Sequence, residues 1–313
     1  MNPTTMDPTA IDANERRERA AKSRLTRRRF IVGGVGIIGL SASATAAYAG
    51  AIEPMEVIVT RYALTPPCWP AGRKLTITVI ADLHAGGPDM TLPHVQRVVD
   101  AAQELRSDLV VFLGDFKAWY WHFKAEPVDD PLWAAELARL KAPLGTWAIL
   151  GNHDWWHDLA GVRSALGGVH IPILENSAVL LGAAGQRFWL AGLGDQLAYQ
   201  LGRGRFRGVD DLPGTLAQIR TDDPVLLLAH EPDIFPTVPD RVALTLAGHT
   251  HGGQIRVPFV WPRFVPSRFS ARYAYGHVIE SDRHLIVSGG LGTSIIPARL
   301  GVPPEIVHIT LGV

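Results

Sequence analysis

Five times in this chain a short apolar run stops at a cluster of aspartate, asparagine or histidine, and that recurrence restricts the fold more than any other feature. Leu75–Ala81 stops at Asp82-Leu83-His84, and Leu109–Leu113 at Gly114-Asp115. Thr146–Leu150 stops at Gly151-Asn152-His153-Asp154, the run 225–229 at His230, and 242–247 at Gly248-His249-Thr250-His251. Between these runs, residues 91–105 place Leu92, Val95, Val98, Val99, Ala102 and Leu105 at helical spacing, which predicts an amphipathic helix. Further helices are expected at 131–140 and 158–166, and further strands at 187–193, 254–258, 284–288 and 305–311. Strand-helix alternation of this kind predicts an α/β protein with a parallel or mixed sheet covered by helices. Such sheets bind ligands at the carboxyl ends of their strands, so the five clusters are expected to face one shared edge.

Two carboxylates, one carboxamide and several imidazoles form a mixed nitrogen and oxygen donor set. That set suits manganese, iron or zinc better than calcium or copper(I). It suffices for two divalent ions with one carboxylate bridging. Two ions ~3.5–4 Å apart can hold a hydroxide nucleophile, polarise a phosphoryl group and neutralise developing charge. The single cysteine, Cys68, excludes an internal disulfide and a cysteine-based metal site. Cys68 itself is read as a small apolar residue. Glycines 114, 151, 248, 252 and 253, beside the clusters, are expected to permit tight turns and close approach of substrate to the backbone.

The ordered motifs D-x-H, G-D, G-N-H-D, a lone His and G-H-T-H resemble the calcineurin-like metallophosphoesterase family, in its exported or membrane-anchored bacterial phosphodiesterase branch. The segment Gly252 to Pro258, Pro266-Ser267-Arg268-Phe269, Tyr273-x-Tyr275-Gly276 and Gly290-Leu291-Gly292-Thr293-Ser294 are similar to that branch too, so the likeness spans roughly residues 57–313. The resemblance implies a four-layer α/β/β/α sandwich with two central mixed sheets. It assigns Asp82, His84 and His251 to a first ion and Asn152, His230 and His249 to a second, with Asp115 bridging and manganese favoured. His153 would contact the phosphate and assist the leaving oxygen. The implied reaction is hydrolysis of a phosphodiester or pyrophosphate bond in a small or lipid-linked substrate, by attack of a metal-bridging hydroxide. Other readings are a non-catalytic scaffold of the same fold, a nuclease, and a UDP-2,3-diacylglucosamine-type pyrophosphohydrolase. The last requires substrate at the cytoplasmic face.

The chain departs from the family pattern at two positions. Ala118 stands where many relatives carry an aspartate that orients the active-site histidine, leaving Asp154 as a substitute. It also excludes the purple acid phosphatases, which carry a metal-binding tyrosine there. Gly289 stands where the branch is expected to have an arginine. The remaining histidines (94, 122, 157, 170, 277, 284 and 308) read as structural, and Gly194-Asp195 as a turn. Phe116–Phe123 and Trp155-Trp156 follow ligand motifs, so aromatic walls around the site are expected.

Residues 1–29 carry eight basic and four acidic side chains, and 30–49 carry no charge. Thr26-Arg27-Arg28-Arg29-Phe30-Ile31 resembles a twin-arginine export signal. Residues 1–49 are therefore read as a signal peptide handled by the twin-arginine machinery, or as an anchor associating with the membrane through 30–49. Residues 50–313 are read as a catalytic domain in the periplasm or on the outer face of the inner membrane. The rest of the chain has 22 basic against 26 acidic residues, a balance that disfavours non-specific nucleic-acid binding.

Overall fold

The apolar runs pair into two sheets in a computed structural model that describes residues 43–120, 126–183, 185–257 and 265–313. Strands β1 (Ile58–Leu64), β2 (Leu75–Ile80), β3 (Leu109–Phe112) and β4 (Thr146–Ala148) join the C-terminal β13 (Glu305–Leu311) in the order β1-β13-β2-β3-β4. The second sheet uses β5 (Ser177–Leu181), β6 (Phe188–Gly192), β9 (Val225–Leu228), β10 (Val242–Ala247), β11 (Gly276–Glu280) and β12 (Arg283–Val287), in the order β11-β12-β10-β9-β6-β5. In the first sheet β2, β3 and β4 run parallel. In the second, β6, β9, β10 and β12 do. A separate hairpin joins β7 (Tyr199–Gly202) to β8 (Arg205–Arg207).

Alternation along each strand sorts the core into layers. Ile77, Val79 and Val111 of the first sheet pack between the sheets against Leu190, Leu226 and Leu244 of the second. Val110 and Phe112 face outward against α1 (Leu92–Glu104), α2 (Asp130–Leu137) and α4 (Leu159–Gly168), meeting Val95, Val98, Trp133 and Val162. The far face of the second sheet is covered by α5 (Leu212–Ala217) and two 3₁₀ turns, through Leu212, Phe235 and Tyr273. The four-layer α/β/β/α architecture is thus present, its second outer layer made of short pieces. β9 and β10 are buried along their whole length, which explains sequences that are apolar throughout apart from Thr245.

Three local differences have clear causes. The strand expected at 254–258 is absent. Gly252, Gly253 and Gln254 take left-handed backbone (φ 60, 79 and 50), and only an isolated bridge from Ile255 to Leu300 follows; Pro258 lies outside the described residues. The helix expected at 158–166 is preceded by a separate one, α3 (Asn152–His157). Asp158 divides them, its carboxylate accepting from the Gly161 amide at 3.0 Å to cap α4. Among the strands not anticipated, β1, β5 and β11 lie at sheet edges with half-exposed sequences that blur the apolar signal, and β7 and β8 are exposed throughout. Ala49–Val313 forms one compact unit. Most of the basic and uncharged leader lies outside the described residues. No helix among the described residues is long and apolar enough to cross a membrane.

Candidate metal centre

The seven candidate ligands lie just beyond the carboxyl ends of β2, β3, β4, β9 and β10, so both sheets contribute to one edge. Backbone hydrogen bonds join the loops: Asp82 N to Gly114 O at 3.1 Å, His84 N to Asp115 O at 2.9 Å, and Gly248 N to His230 O at 3.0 Å. The tight turns use Gly114, Gly252 and Gly253, as expected, and fall on the ligands as well. Asp82, His84, Asp115, His249 and His251 all have positive φ, between 45° and 67°. Aspartate and histidine tolerate this region better than most residues, yet such a concentration marks a strained, over-determined edge. Gly151 is needed for space, since a Cβ there would lie 2.3 Å from Asp115 Oδ1 and 2.6 Å from the His230 ring.

Lone pairs converge in two adjoining groups. In the first, His84 Nε2 is 3.2 Å from His251 Nε2, and His251 Nε2 is 3.8 Å from Asp82 Oδ1. In the second, Asn152 Oδ1 lies 2.8 Å from His249 Nδ1 and 3.2 Å from His230 Nε2. Asp115 Oδ2 stands between them, 3.7 Å from His84 Nε2 and 3.2 Å from His230 Nε2. Outer contacts aim the rings. His84 Nδ1 faces Lys117 O at 3.1 Å, and His230 Nδ1 faces Leu113 O at 2.6 Å, which turns each Nε2 inward. The donor atoms of Asp82, His84 and His251 lie within 4.8 Å of one another, as do those of Asp82, Asp115 and His230. A buried edge with this many acceptors fits divalent cations.

The electrostatics point the same way. Burial, reinforced by Asp115, raises the Asp82 carboxyl to about 7, although His230 and the His249 amide oppose it. Burial would raise Asp115 too, but the charges of His230 and His153 and the His230 hydrogen bond outweigh it and hold the carboxyl well below the usual range. His230 rises correspondingly, its burial overcome by Asp115. Burial lowers His84, His249 and His251.

His153 shares this edge without joining either group. Its amide donates to Asp115 Oδ1 at 2.8 Å, and its ring meets His84 edge-on at 5.0 Å. Asp154 does not orient it. That carboxylate accepts instead from the amides of Asp115, Phe116 and Gly151, each at 2.9 Å, and so clamps the β3 and β4 loops together. The His153 ring instead has a side-chain hydrogen-bond partner in Ser294, whose Oγ lies 3.2 Å from Nε2. Sequence reasoning noted Ser294 only as part of a glycine-rich motif.

Gly289, where an arginine is expected, lies against a buried arginine from elsewhere in the chain. Arg299 is fully buried and donates to Gly289 O and Val302 O at 3.0 Å, with a further nitrogen 3.3 Å from His251 Nδ1. Its donors brace the loop behind the centre. At Gly289 itself a Cβ would meet Tyr275 Cε2 at 2.9 Å.

A cavity of about 440 Å³ opens beside the centre, lined by Asn152, His153, Trp156, Ile255, Ile295 and Ile296 among others. Part of the expected aromatic wall is present. Trp156 lines the cavity, and Trp119 stacks on His157 at 4.8 Å, 6.3 Å from His153. Trp155 turns away to Tyr199; Trp121, His122 and Phe123 lie outside the described residues. Asp195, read as part of a turn, immediately precedes one, with its carboxylate buried and accepting from the Leu197 amide at 2.7 Å.

Comparison with known proteins agrees with this geometry. The family model for calcineurin-like phosphoesterases matches residues 75–253, from β2 through the last ligand motif. The chain belongs to that family of divalent-metal phosphoesterases. It is 31% identical over 298 residues to the uncharacterized metallophosphoesterase YkuE of Bacillus subtilis, covering 92% of this chain and 98% of that one. It is also 31% identical over 241 residues to the phosphodiesterase YaeI of Escherichia coli, covering 75% and 81%. Among solved structures it is similar to the Haemophilus influenzae NAD nucleotidase, with a TM-score of 0.45 and 15% identity over 70% of this chain; it spans about half, 51%, of that longer protein.

Proposed function

We propose that the chain is a dinuclear-metal phosphoesterase that hydrolyses a phosphodiester or pyrophosphate bond. The observation that carries this reading is the meeting of two ligand groups at one shared carboxylate, Asp115. Asp82, His84 and His251 would hold one ion, Asn152, His230 and His249 the other, and manganese suits the mixed donors. Bound there, the ions would supply a nucleophile at neutral pH and neutralise charge on the phosphoryl group.

The chain's own groups do the rest. Burial lowers His153 to about 3, so the ring enters the reaction neutral. Its role is then to donate an N–H to a phosphoryl or leaving oxygen, with Ser294 fixing the ring. The apolar cavity beside it favours an organic substituent on phosphorus, hence a diester or a lipid-linked pyrophosphate over a protein phosphomonoester. The complete donor set speaks against a scaffold, and the acidic balance beyond the leader against a nuclease. Export through the twin-arginine signal would place the reaction outside the inner membrane and away from cytoplasmic nucleotide sugars.

The test is hydrolysis of bis-p-nitrophenyl phosphate by the purified, manganese-loaded chain. Turnover abolished by chelation and restored by metal is expected. A chain that remains inactive after loading would support the scaffold instead.

A further inference from the structure

Apart from the centre, the most unusual surface is the hairpin between β6 and α5. All seven residues assigned to β7 and β8 are exposed, and the pair joins neither main sheet. The tip reads Leu201-Gly202-Arg203-Gly204-Arg205-Phe206-Arg207, with Leu201 51% and Phe206 41% exposed. Gly202, Arg203 and Gly204 have φ 79, 55 and 67, a left-handed run that makes the tight turn of the tip. Arg203 and Arg205 make no ion pair among the described residues, and Arg207 covers the Tyr199 ring at 4.6 Å. A two-stranded hairpin with no buried face adds little to a fold. Exposed apolar side chains interleaved with arginines describe an interaction surface.

The hairpin stands beside the proposed centre. Tyr199 meets Trp155 edge-on at 5.3 Å, and Phe206 stacks on Trp156 at 5.5 Å, so two aromatic pairs fasten it to α3, the helix that carries Asn152 and His153. Trp156 lines the cavity, and Ile295 and Ile296, also lining it, are 55% and 40% exposed. Ile295 has φ 68, a strained conformation for a β-branched residue, so the backbone holds an apolar side chain outward at a conformational cost. A second cavity of about 690 Å³ lies between the hairpin and Arg268; Asp210, Glu231 and Asp233 also line it, and Arg268 pairs with Asp233 at 3.3 Å, which leaves the hairpin arginines as the cationic part of the rim.

We propose that the hairpin Tyr199–Arg207, with the Ile295-Ile296 corner, seats the mouth of the cavity on an anionic lipid bilayer. Leu201 and the isoleucines enter the boundary between headgroups and acyl chains, while the arginines lie along it with their guanidinium groups on lipid phosphates. Charge complementarity selects the partner, since the arginine cluster sits in a chain that is otherwise acidic beyond its leader. The two exposed rings of the hairpin already have partners, Tyr199 under Arg207 and Phe206 on Trp156, and the leucine and isoleucines that project beside them offer hydrocarbon and no ring for a base, which favours lipid over nucleic acid. A lipid-linked molecule would then pass sideways into the apolar cavity without crossing water. The docking rests on the surface alone, whether or not the centre turns over a phosphodiester.

The test uses the full chain with Cys68→Ser and one new cysteine, Leu201→Cys, carrying an environment-sensitive dye. On vesicles of phosphatidylcholine mixed with phosphatidylglycerol, the dye should shift to the blue and lose its quenching by aqueous iodide. A dye attached through Ile279→Cys, on the edge strand β11 at the opposite end of the six-stranded sheet, should not respond. Pure phosphatidylcholine, or Arg203→Ser with Arg205→Ser, should abolish the shift at position 201. Because the label reports only its own surroundings, vesicle binding by the leader cannot imitate this result. A position 201 dye that stays in water on the anionic vesicles would overturn the proposal. So would equal shifts at 201 and 279, or protection at 201 by DNA in place of vesicles.

Discussion

The metal-ligand edge and the hairpin rim share α3 but are built in opposite ways. At the edge, side chains are buried, loops are cross-linked through their backbones, and five ligand residues are held in left-handed conformations. At the rim, a hairpin joined through aromatic contacts exposes nearly everything it has. The difference teaches where freedom remains. Donor atoms that must converge on shared points leave almost no choice of residue or backbone, whereas a surface for a soft partner tolerates change.

Substitutions can break that contrast. The largest effect should come from Gly151→Ala, whose new Cβ falls on both Asp115 and His230. Turnover of bis-p-nitrophenyl phosphate should drop by roughly 10³-fold or more, comparable with losing a major transition-state contact. A near-normal rate would show the edge to be softer than its geometry implies.

His153→Ala should slow the same reaction by roughly 10²-fold, the range of a lost acid-base or hydrogen-bonding group, while both ions stay bound. Loss of metal from that variant would make His153 a ligand. Ser294→Ala acts one step further out and should cost about tenfold, with a changed pH–rate profile that Ser294→Thr restores. An unaltered profile would deny Ser294 its positioning role.

Acid should act through His153 as well. Its folded value, about 3, lies below the unfolded value near 6.5. Between those limits the unfolded chain binds more protons, so this residue's contribution to stability is full above about pH 6.5 and falls as pH drops toward 3. Denaturant melts of chelated protein should therefore show the wild type losing up to ~1.4 kcal/mol per pH unit relative to His153→Gln in that window. Parallel curves would mean the ring is accessible to protons. The smallest effect belongs to the rim: Leu201→Ser should shift stability by less than about 0.5 kcal/mol, as at an ordinary exposed site. A larger loss would make the hairpin part of the fold.

Much of the centre is legible in the sequence because buried parallel strands give unbroken apolar runs and ligand chemistry limits the residues that may follow them. β9 and β10 were recognisable for that reason, and so were His230 and His249 after them. What was not legible depends on direction. Asp154 directly follows His153, but neighbours on a helix point about 100° apart, which sends one side chain to the loop amides and the other to the cavity. Ser294 is an ordinary residue 141 positions from the ring it meets. The left-handed ligands carry no marker either, since the neighbouring glycines account for a tight turn without requiring one at an aspartate or histidine. The hairpin is not legible because exposed strands lack the apolar alternation that identifies half-buried ones.

The most direct measurement is metal content per chain by elemental analysis, compared among wild type, Asn152→Ala and Asp115→Asn. Two ions are predicted for the wild type, with the second site selectively weakened in Asn152→Ala and both affected in Asp115→Asn. A single ion in the wild type, or equal occupancy in all three, would contradict a pair of cations joined at Asp115.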